Sequence, residues 1–146
     1  MTTRGTSHRD RQLDRAMAAL GTLPFGAALL VALNCLYIAL VAFGNITDFA
    51  VNQAFVQHVL AMDTTNFGAP PGTGLHPHVM WRAITDPALQ NAAYVGVIVW
   101  EALTAVVLGA AVVRWVRERG TSYRSARALS TVGLLMLVAL FLAASS

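Results

Sequence analysis

Glu101 is the residue of this chain whose chemical type fits its surroundings least. It lies in the run YVGVIVWEALTAVVLGA, Tyr94 to Ala110, which is otherwise apolar enough to cross a membrane. A carboxylate near the centre of a bilayer costs roughly 2.5 to 3.5 kcal/mol on insertion scales. Glu101 therefore needs either a hydrogen-bonding partner or a function that uses its proton.

Asn34 is the predicted partner of Glu101. Counting along the apolar runs places the two residues at a similar depth, and a protonated Glu101 bound to the Asn34 amide would satisfy both groups. The Trp100 indole is a further donor to the same cluster. An intramembrane polar clasp of Glu101, Asn34 and Trp100 is the leading interpretation. A proton or cation relay and a contact with another protein's helix remain as alternatives, although a relay usually needs further ionisable groups at membrane depth.

Three histidines between the first two apolar runs are weak candidates for metal ligands: His58, His76 and His78. Their spacing matches no established zinc pattern, and no Cys or Glu completes a ligand set. A transmembrane haem would prefer histidines within the apolar runs, and none lies there. The sequence also has no nucleophile and base arrangement, no Gly-rich phosphate loop and no paired carboxylates. We therefore expect no metal, no cofactor and no enzymatic activity.

Arg82 is the one basic residue among the histidines and is expected to hold their segment in place. Its candidate ion-pair partners are Asp48, Asp63 and Asp86. The predicted structural motif of this segment consists of Asp48, His58, Asp63, Trp81 and Arg82. In isolation these residues resemble catalytic groups, but ion pairing that pins a loop explains them more simply.

The composition is that of a membrane protein. Hydrophobic residues make up 56% of the 146 residues, charged residues make up 12%, and the mean hydropathy is +0.58. Three runs are long and apolar enough for helices that cross a bilayer, at about 20–44, 87–113 and 128–144. We predict an all-α integral membrane protein in which a basic N-terminal segment, 1–19, precedes a single helical membrane domain, 20–146.

The basic residues, all of them arginine, indicate the orientation of the spans. One group precedes the first span and another fills the connection between the second and third: Arg4, Arg9, Arg11 and Arg15, then Arg114, Arg117, Arg119, Arg124 and Arg127. Positive charge is retained on the cytoplasmic side. We therefore expect a cytoplasmic N-terminus, an extracytoplasmic loop at 45–86 and a location in a bacterial inner membrane. The pI of about 9.8 follows from this topology, so no nucleic-acid partner is expected.

The extracytoplasmic loop has a pattern of its own. Four apolar residues recur at helical spacing: Val51, Phe55, Val59 and Met62. They predict a short amphipathic helix, capped by Thr47 or Asp48, that lies on the membrane surface or packs on the other helices. Packing is the simpler interpretation. The stretch NFGAPPGTGLHPH predicts an irregular turn, after which Asp86 and Pro87 begin the second span as N-cap and first helical residue.

Ala105 and Gly109 form a small-residue pair four positions apart on the second span. Such pairs allow close contact between helices in a bilayer. The pair serves either packing within this chain or docking on another protein, and we assign it to docking.

The strings NITDFAVNQAFVQHVLAMDTT, WRAITDPALQNAAY and WEALTA resemble a bacterial family of predicted small integral membrane proteins, domain of unknown function 2165. The likeness covers roughly Leu20 to Arg117. Its most specific part combines Phe55, His58, Met62, Asp63 and Thr64 with Trp81, Arg82, Ala83 and Ile84. The resemblance implies a compact multi-helix membrane protein with a structured outer loop, and it implies no activity. Members of the family usually continue into a fourth hydrophobic stretch, whereas this sequence stops at FLAASS.

A chain of this size, with short cytoplasmic segments and one modest outer loop, is typical of a small subunit of a larger complex. We expect a non-catalytic accessory subunit of a bacterial inner-membrane complex, such as the multi-subunit lipid importer of an actinobacterium. One alternative is a small homo-oligomeric carrier or channel that couples transport to protonation of Glu101. A second is a membrane anchor linked to a metal or haem.

Overall fold

A computed structural model describes residues 12–13, 22–66, 68–119 and 121–145. These residues form helices and turns and contain no strand, as predicted for an all-α protein. The helices are α1 Leu23–Thr47, α2 Phe49–Ala61, α3 Pro77–Met80, α4 Pro87–Arg117 and α5 Arg124–Ser145. The predicted basic segment 1–19 lies outside the described residues apart from 12–13.

Three helices are long and apolar enough to cross a membrane: Leu23–Thr47, Pro87–Arg117 and Arg124–Ala143. They correspond to the three predicted spans, but two of them continue beyond the apolar runs into the arginine-rich connection. Arginine favours helix and can extend its charged end towards the bilayer surface, so hydropathy alone does not mark where a helix stops. The first helix begins at Leu23 and ends at Thr47, both later than predicted. Asn45 therefore lies within its last turn.

α4 is the central helix of the bundle and packs along both α1 and α5. Its buried residues recur at intervals that define one helix face: Gln90, Tyr94, Glu101, Thr104, Leu108, Ala111 and Trp115. The core joins Leu108 and Ala111 of α4 to Val31 and Ile38 of α1 and to Leu137 of α5. The same face of α4 therefore carries the apolar core at one end and polar side chains towards the other.

α4 and α5 are in close contact at Gly133. A Cβ atom built on Gly133 would lie 2.5 Å from Cδ2 of Leu108 and 2.8 Å from its Cγ. Leu108 is fully buried, so moving its side chain would disturb the packing of the core around it. Glycine is thus required here for close packing, which small residues provide between membrane helices.

α2 forms where the outer loop was predicted to be helical, but it is oriented with its polar side inwards. Val51, Phe55 and Val59 are 73%, 67% and 52% exposed. The interpretation that this apolar face packs on the other helices of the chain is therefore wrong. Asp48 occupies the N-cap position of α2 but its side chain makes no capping hydrogen bond.

The predicted irregular turn follows α2. Asn66 is buried, and its Nδ2 donates to the carbonyl oxygens of Pro70 and Thr73 at 2.8 and 2.9 Å. Gly72 has a φ of 78°, a backbone angle that residues other than glycine rarely adopt. At the start of α4, Oδ1 of Asp86 accepts hydrogen bonds from the backbone N–H groups of the first turn, which confirms the predicted N-cap.

Candidate functional site

Glu101 is buried, with 4% of its surface exposed, and its partner is an asparagine of α1. Nδ2 of Asn45 donates to Oε2 of Glu101 at 2.8 Å. The predicted pairing with Asn34 is wrong, because the Asn34 amide donates to the carbonyl oxygen of Leu30 in its own helix at 2.8 Å. An asparagine does join Glu101 to the first span, but it lies three turns further along that span.

Glu101 meets Asn45 and not Asn34 because of its depth in the membrane. At about 1.5 Å per residue, Glu101 lies roughly 20 Å along α4 from Arg114, out of a hydrocarbon thickness of about 30 Å. Measured from Arg114, Glu101 is therefore past the middle of the hydrocarbon and roughly 10 Å from its opposite edge. α1 runs in the opposite direction and ends at Thr47, so its last turn, which carries Asn45, reaches the level of Glu101.

Trp100 lies beside Glu101 in sequence but does not join the same cluster. Its indole Nε1 donates to the carbonyl oxygen of Met136 at 2.9 Å and so links α4 to α5. The expectation that Trp100 donates to the cluster at Glu101 is corrected accordingly. Adjacent residues point to different sides of a helix, which separates the two side chains.

Asn52 and Tyr94 complete what we call the Glu101 cluster, which consists of Asn45, Asn52, Tyr94 and Glu101. Nδ2 of Asn52, on α2, lies 3.3 Å from Oδ1 of Asn45 and 3.3 Å from the carbonyl oxygen of Gly44. The hydroxyl of Tyr94, which is 2% exposed, donates to the backbone carbonyl oxygen of Asn45 at 3.0 Å. Asn45 is thus the common partner of α2 and α4.

A second layer of amides lies between α2 and the first turns of α4. Nε2 of Gln53 donates to Oδ1 of Asn91 at 2.6 Å, and Nε2 of Gln57 lies 3.4 Å from the same oxygen. Nε2 of Gln90 lies 3.4 Å from the carbonyl oxygen of Gln57 on α2, and it donates to the carbonyl oxygen of Ile84 at 2.7 Å. These contacts explain why α2 places its polar side inwards.

Sequence reasoning missed Asn45, Asn52 and Tyr94, although a signal for them was present. Amides occur on one side of α2 at Asn52, Gln53 and Gln57, opposite to the side that carries its apolar residues. The apolar face and the amide face of α2 have similar widths, so the sequence of the helix alone does not decide which of them faces the interior of the protein. The polar face is inside here because α4 offers amide partners.

The chemistry that the Glu101 cluster supports is mutual hydrogen bonding. Among the described residues, no buried side-chain nitrogen or oxygen lacks a partner. A buried polar group that is fully paired stabilises its surroundings, whereas one left unpaired costs free energy. The cluster therefore fastens α1, α2 and α4 to one another.

The three candidate metal ligands are not brought together. Nδ1 of His58 lies 2.9 Å from Oδ2 of Asp63, so this histidine pairs with a carboxylate of the same loop. The rings of His76 and His78 are neighbours, with centroids 5.2 Å apart. Within the described part of the chain, no group of three His, Cys, Asp or Glu side chains is placed to hold a metal ion.

The remaining residues of the predicted loop motif have separate surroundings. Trp81 is 80% exposed. Asp63 pairs with His58, and Asp86 caps α4. The pairing of Arg82 with Asp48, Asp63 or Asp86 stays a prediction.

The small-residue pair of α4 faces α1 of the same chain. Sγ of Cys35 lies 3.6 Å from the carbonyl oxygen of Ala105, and a Cβ built on Gly109 would lie 3.8 Å from the same sulfur. The assignment of Ala105 and Gly109 to docking of another protein is thereby corrected. This face is already covered by α1, so the pair serves internal packing.

Comparison with known proteins gives one match. A family model described as "Predicted small integral membrane protein (DUF2165)" matches residues 24–145. Neither the curated proteins nor the solved structures contain a match to this chain. The matched range includes the three long helices, apart from Leu23, and the whole Glu101 cluster.

Proposed function

The chain belongs to this family of predicted small integral membrane proteins, and from that premise we propose that it is a non-catalytic accessory subunit of a larger bacterial inner-membrane complex. In this proposal it docks through its helices and stabilises or regulates its host. A multi-subunit transporter, such as the lipid importer of an actinobacterium, is the host we favour.

The observation that carries the proposal is the outward apolar face of α2, formed by Val51, Phe55 and Val59. All three side chains are more than half exposed, and α2 lies outside the three candidate spans. Within a span, lipid covers the exposed apolar side chains. α2 lies outside the spans, so its apolar side chains need another hydrophobic surface to cover them. Exposed apolar patches commonly mark sites of interaction with a protein or a membrane.

The paired interior gives independent support. Active and transport sites usually hold polar groups that face a cavity and await a ligand. In the Glu101 cluster the carboxylate and the amides bond to one another instead. The polar side chains of the Glu101 cluster thus serve the architecture of the chain itself, and its surface is available for association.

Photo-crosslinking from α2 tests this proposal. We would place a photoreactive amino acid at Phe55, and as a control at Thr64, which is exposed in the turn that follows α2. The expected result is a crosslink from Phe55 to one protein of defined mass in native membranes, and none from Thr64. Adducts with lipid alone at Phe55 would contradict the docking of α2 on a protein.

The competing function is a small homo-oligomeric carrier or channel coupled to protons. It has one observation in its favour, the continuous hydrogen-bonded contact from Asn52 through Asn45 to Glu101. Purified protein in sealed vesicles would then carry a proton flux that Glu101→Gln abolishes. The accessory-subunit proposal expects no flux from either protein.

A further inference from the structure

An apolar groove lies between α1 and α4 at the end of the bundle where the arginines are concentrated. Its volume is about 710 Å³, within the range of roughly 300 to 1,000 Å³ that is typical of ligand pockets. Phe25, Ala28 and Leu29 form its wall on α1, and Val112 and Val116 form its wall on α4. We call this space the arginine-end groove.

The depth of the groove matches one leaflet of a bilayer. Its lining on α1 runs from Pro24 to Ala32. At about 1.5 Å per residue, this stretch is roughly 12 Å long, and one leaflet of a hydrocarbon core is about 15 Å thick. An elongated apolar ligand that enters from one membrane surface would fit this length.

The groove has a cation at its polar end. Arg119, just beyond the end of α4, is exposed and belongs to the lining. The neighbouring carboxylate, Glu118, is directed towards α5, where its Oε2 accepts a long hydrogen bond from the backbone N–H of Ala126 at 3.4 Å. The guanidinium of Arg119 is consequently next to apolar walls and available to an anion.

The aromatic wall of the groove is held in place before any ligand binds. Nε1 of Trp115 donates to Oγ of Ser130 at 3.0 Å, and Ser130 donates in turn to the carbonyl oxygen of Ala126 at 2.7 Å. The ring of Tyr123 lies against Trp115, with centroids 5.0 Å apart. Tyr123 has a φ of 50°, a conformation that is uncommon for residues other than glycine.

We propose that the arginine-end groove binds an anionic phospholipid, with one acyl chain between α1 and α4 and the phosphate paired with Arg119. The apolar walls, the length of one leaflet and the Arg119 cation at the rim are complementary to such a molecule in shape and charge. Basic pockets between membrane helices bind anionic lipid headgroups in this way. The site is separate from the Glu101 cluster and from the apolar face of α2.

Native mass spectrometry in mild detergent tests the proposal, with phosphatidylglycerol and phosphatidylcholine of identical acyl chains as probes. The wild-type protein should retain phosphatidylglycerol roughly five-fold better, as one arginine near a membrane surface provides. Arg119→Gln should remove this preference. Arg124→Gln, which removes the same charge outside the groove, should leave it unchanged.

A second pair of variants tests the acyl-chain part of the proposal. Ala28→Phe fills the groove and should reduce retention of both lipids, while Ala110→Phe adds the same volume on an exposed part of α4 and should not. Equal retention of the two lipids by the wild-type protein would overturn the proposal. Equal effects of the two arginine variants, or undiminished retention in Ala28→Phe, would also overturn it.

Discussion

At the scale of single residues, the contact between α1 and α4 depends on which asparagine meets Glu101. Asn34 and Asn45 both lie on α1 and both carry an amide, but only Asn45 donates to the carboxylate. The sequence correctly indicated that Glu101 needs an amide partner. It could not identify the partner, because that choice depends on where α1 ends and on how far α4 continues past its apolar run.

Replacement of the two asparagines by leucine should therefore have different effects. Asn45→Leu leaves the buried carboxyl group of Glu101 without its partner and should lower the free energy of unfolding by about 1 to 2 kcal/mol. Asn34→Leu removes only a bond to the backbone of its own helix, so its effect should stay within about 0.5 kcal/mol. Thermal unfolding of both variants in one mild detergent measures the difference. A larger loss for Asn34→Leu would reject the assignment of Asn45.

At the scale of helices, close approach of α4 and α5 depends on Gly133, while Gly96 of α4 is open to its surroundings. Hydropathy predicted that both helices exist, because three long apolar runs in one chain have few alternatives to membrane helices. Hydropathy could not predict which glycines are in contact, since that depends on how the helices are rotated about their axes.

The two glycines should respond to alanine with opposite signs. Gly133→Ala forces the new methyl group against Leu108 and should destabilise the protein by about 1 to 3 kcal/mol. Gly96→Ala meets no atom within 4 Å and should stabilise its helix by roughly 0.5 to 1 kcal/mol. Denaturant titration in mixed micelles compares the two. If Gly133→Ala were as stable as the wild-type protein, the packing of α5 on α4 described above would be incorrect.

α2 shows why the orientation of a loop helix is harder to predict than its existence. Val51, Phe55 and Val59 gave the correct helix, but an apolar face is a guide to the interior only when water is the alternative. Next to a membrane or a partner, the apolar face can be outside. The amides that determine the orientation of α2 lie on α4, far away in sequence.

At the scale of the whole molecule, the chain is a multi-pass integral membrane protein whose orientation is set, in our proposal, by its arginines. Five of them lie in the connection between α4 and α5 or in the adjoining helix ends, and the loop at 45–86 contains only Arg82. We expect the connection to be cytoplasmic and the loop to be extracytoplasmic.

Cysteine labelling in intact cells measures this orientation. Cys35 is the single cysteine, so Cys35→Ala provides a background without thiols. In that background, Ala69→Cys should react with a membrane-impermeant maleimide added outside the cells, while Ser125→Cys should react only after lysis. The opposite pattern would invert the topology.

The most direct test of the central claim is the mass of the native assembly, measured after extraction with a mild detergent, for the wild-type protein and for Glu101→Gln. Glutamine keeps the shape of the side chain and can still accept the hydrogen bond from Asn45, but it removes the titratable proton. An accessory subunit with a structural cluster should purify in a fixed ratio with a large host complex in both forms. A protein that is found alone or only with its own copies would contradict the account, as would a host complex that Glu101→Gln dissociates.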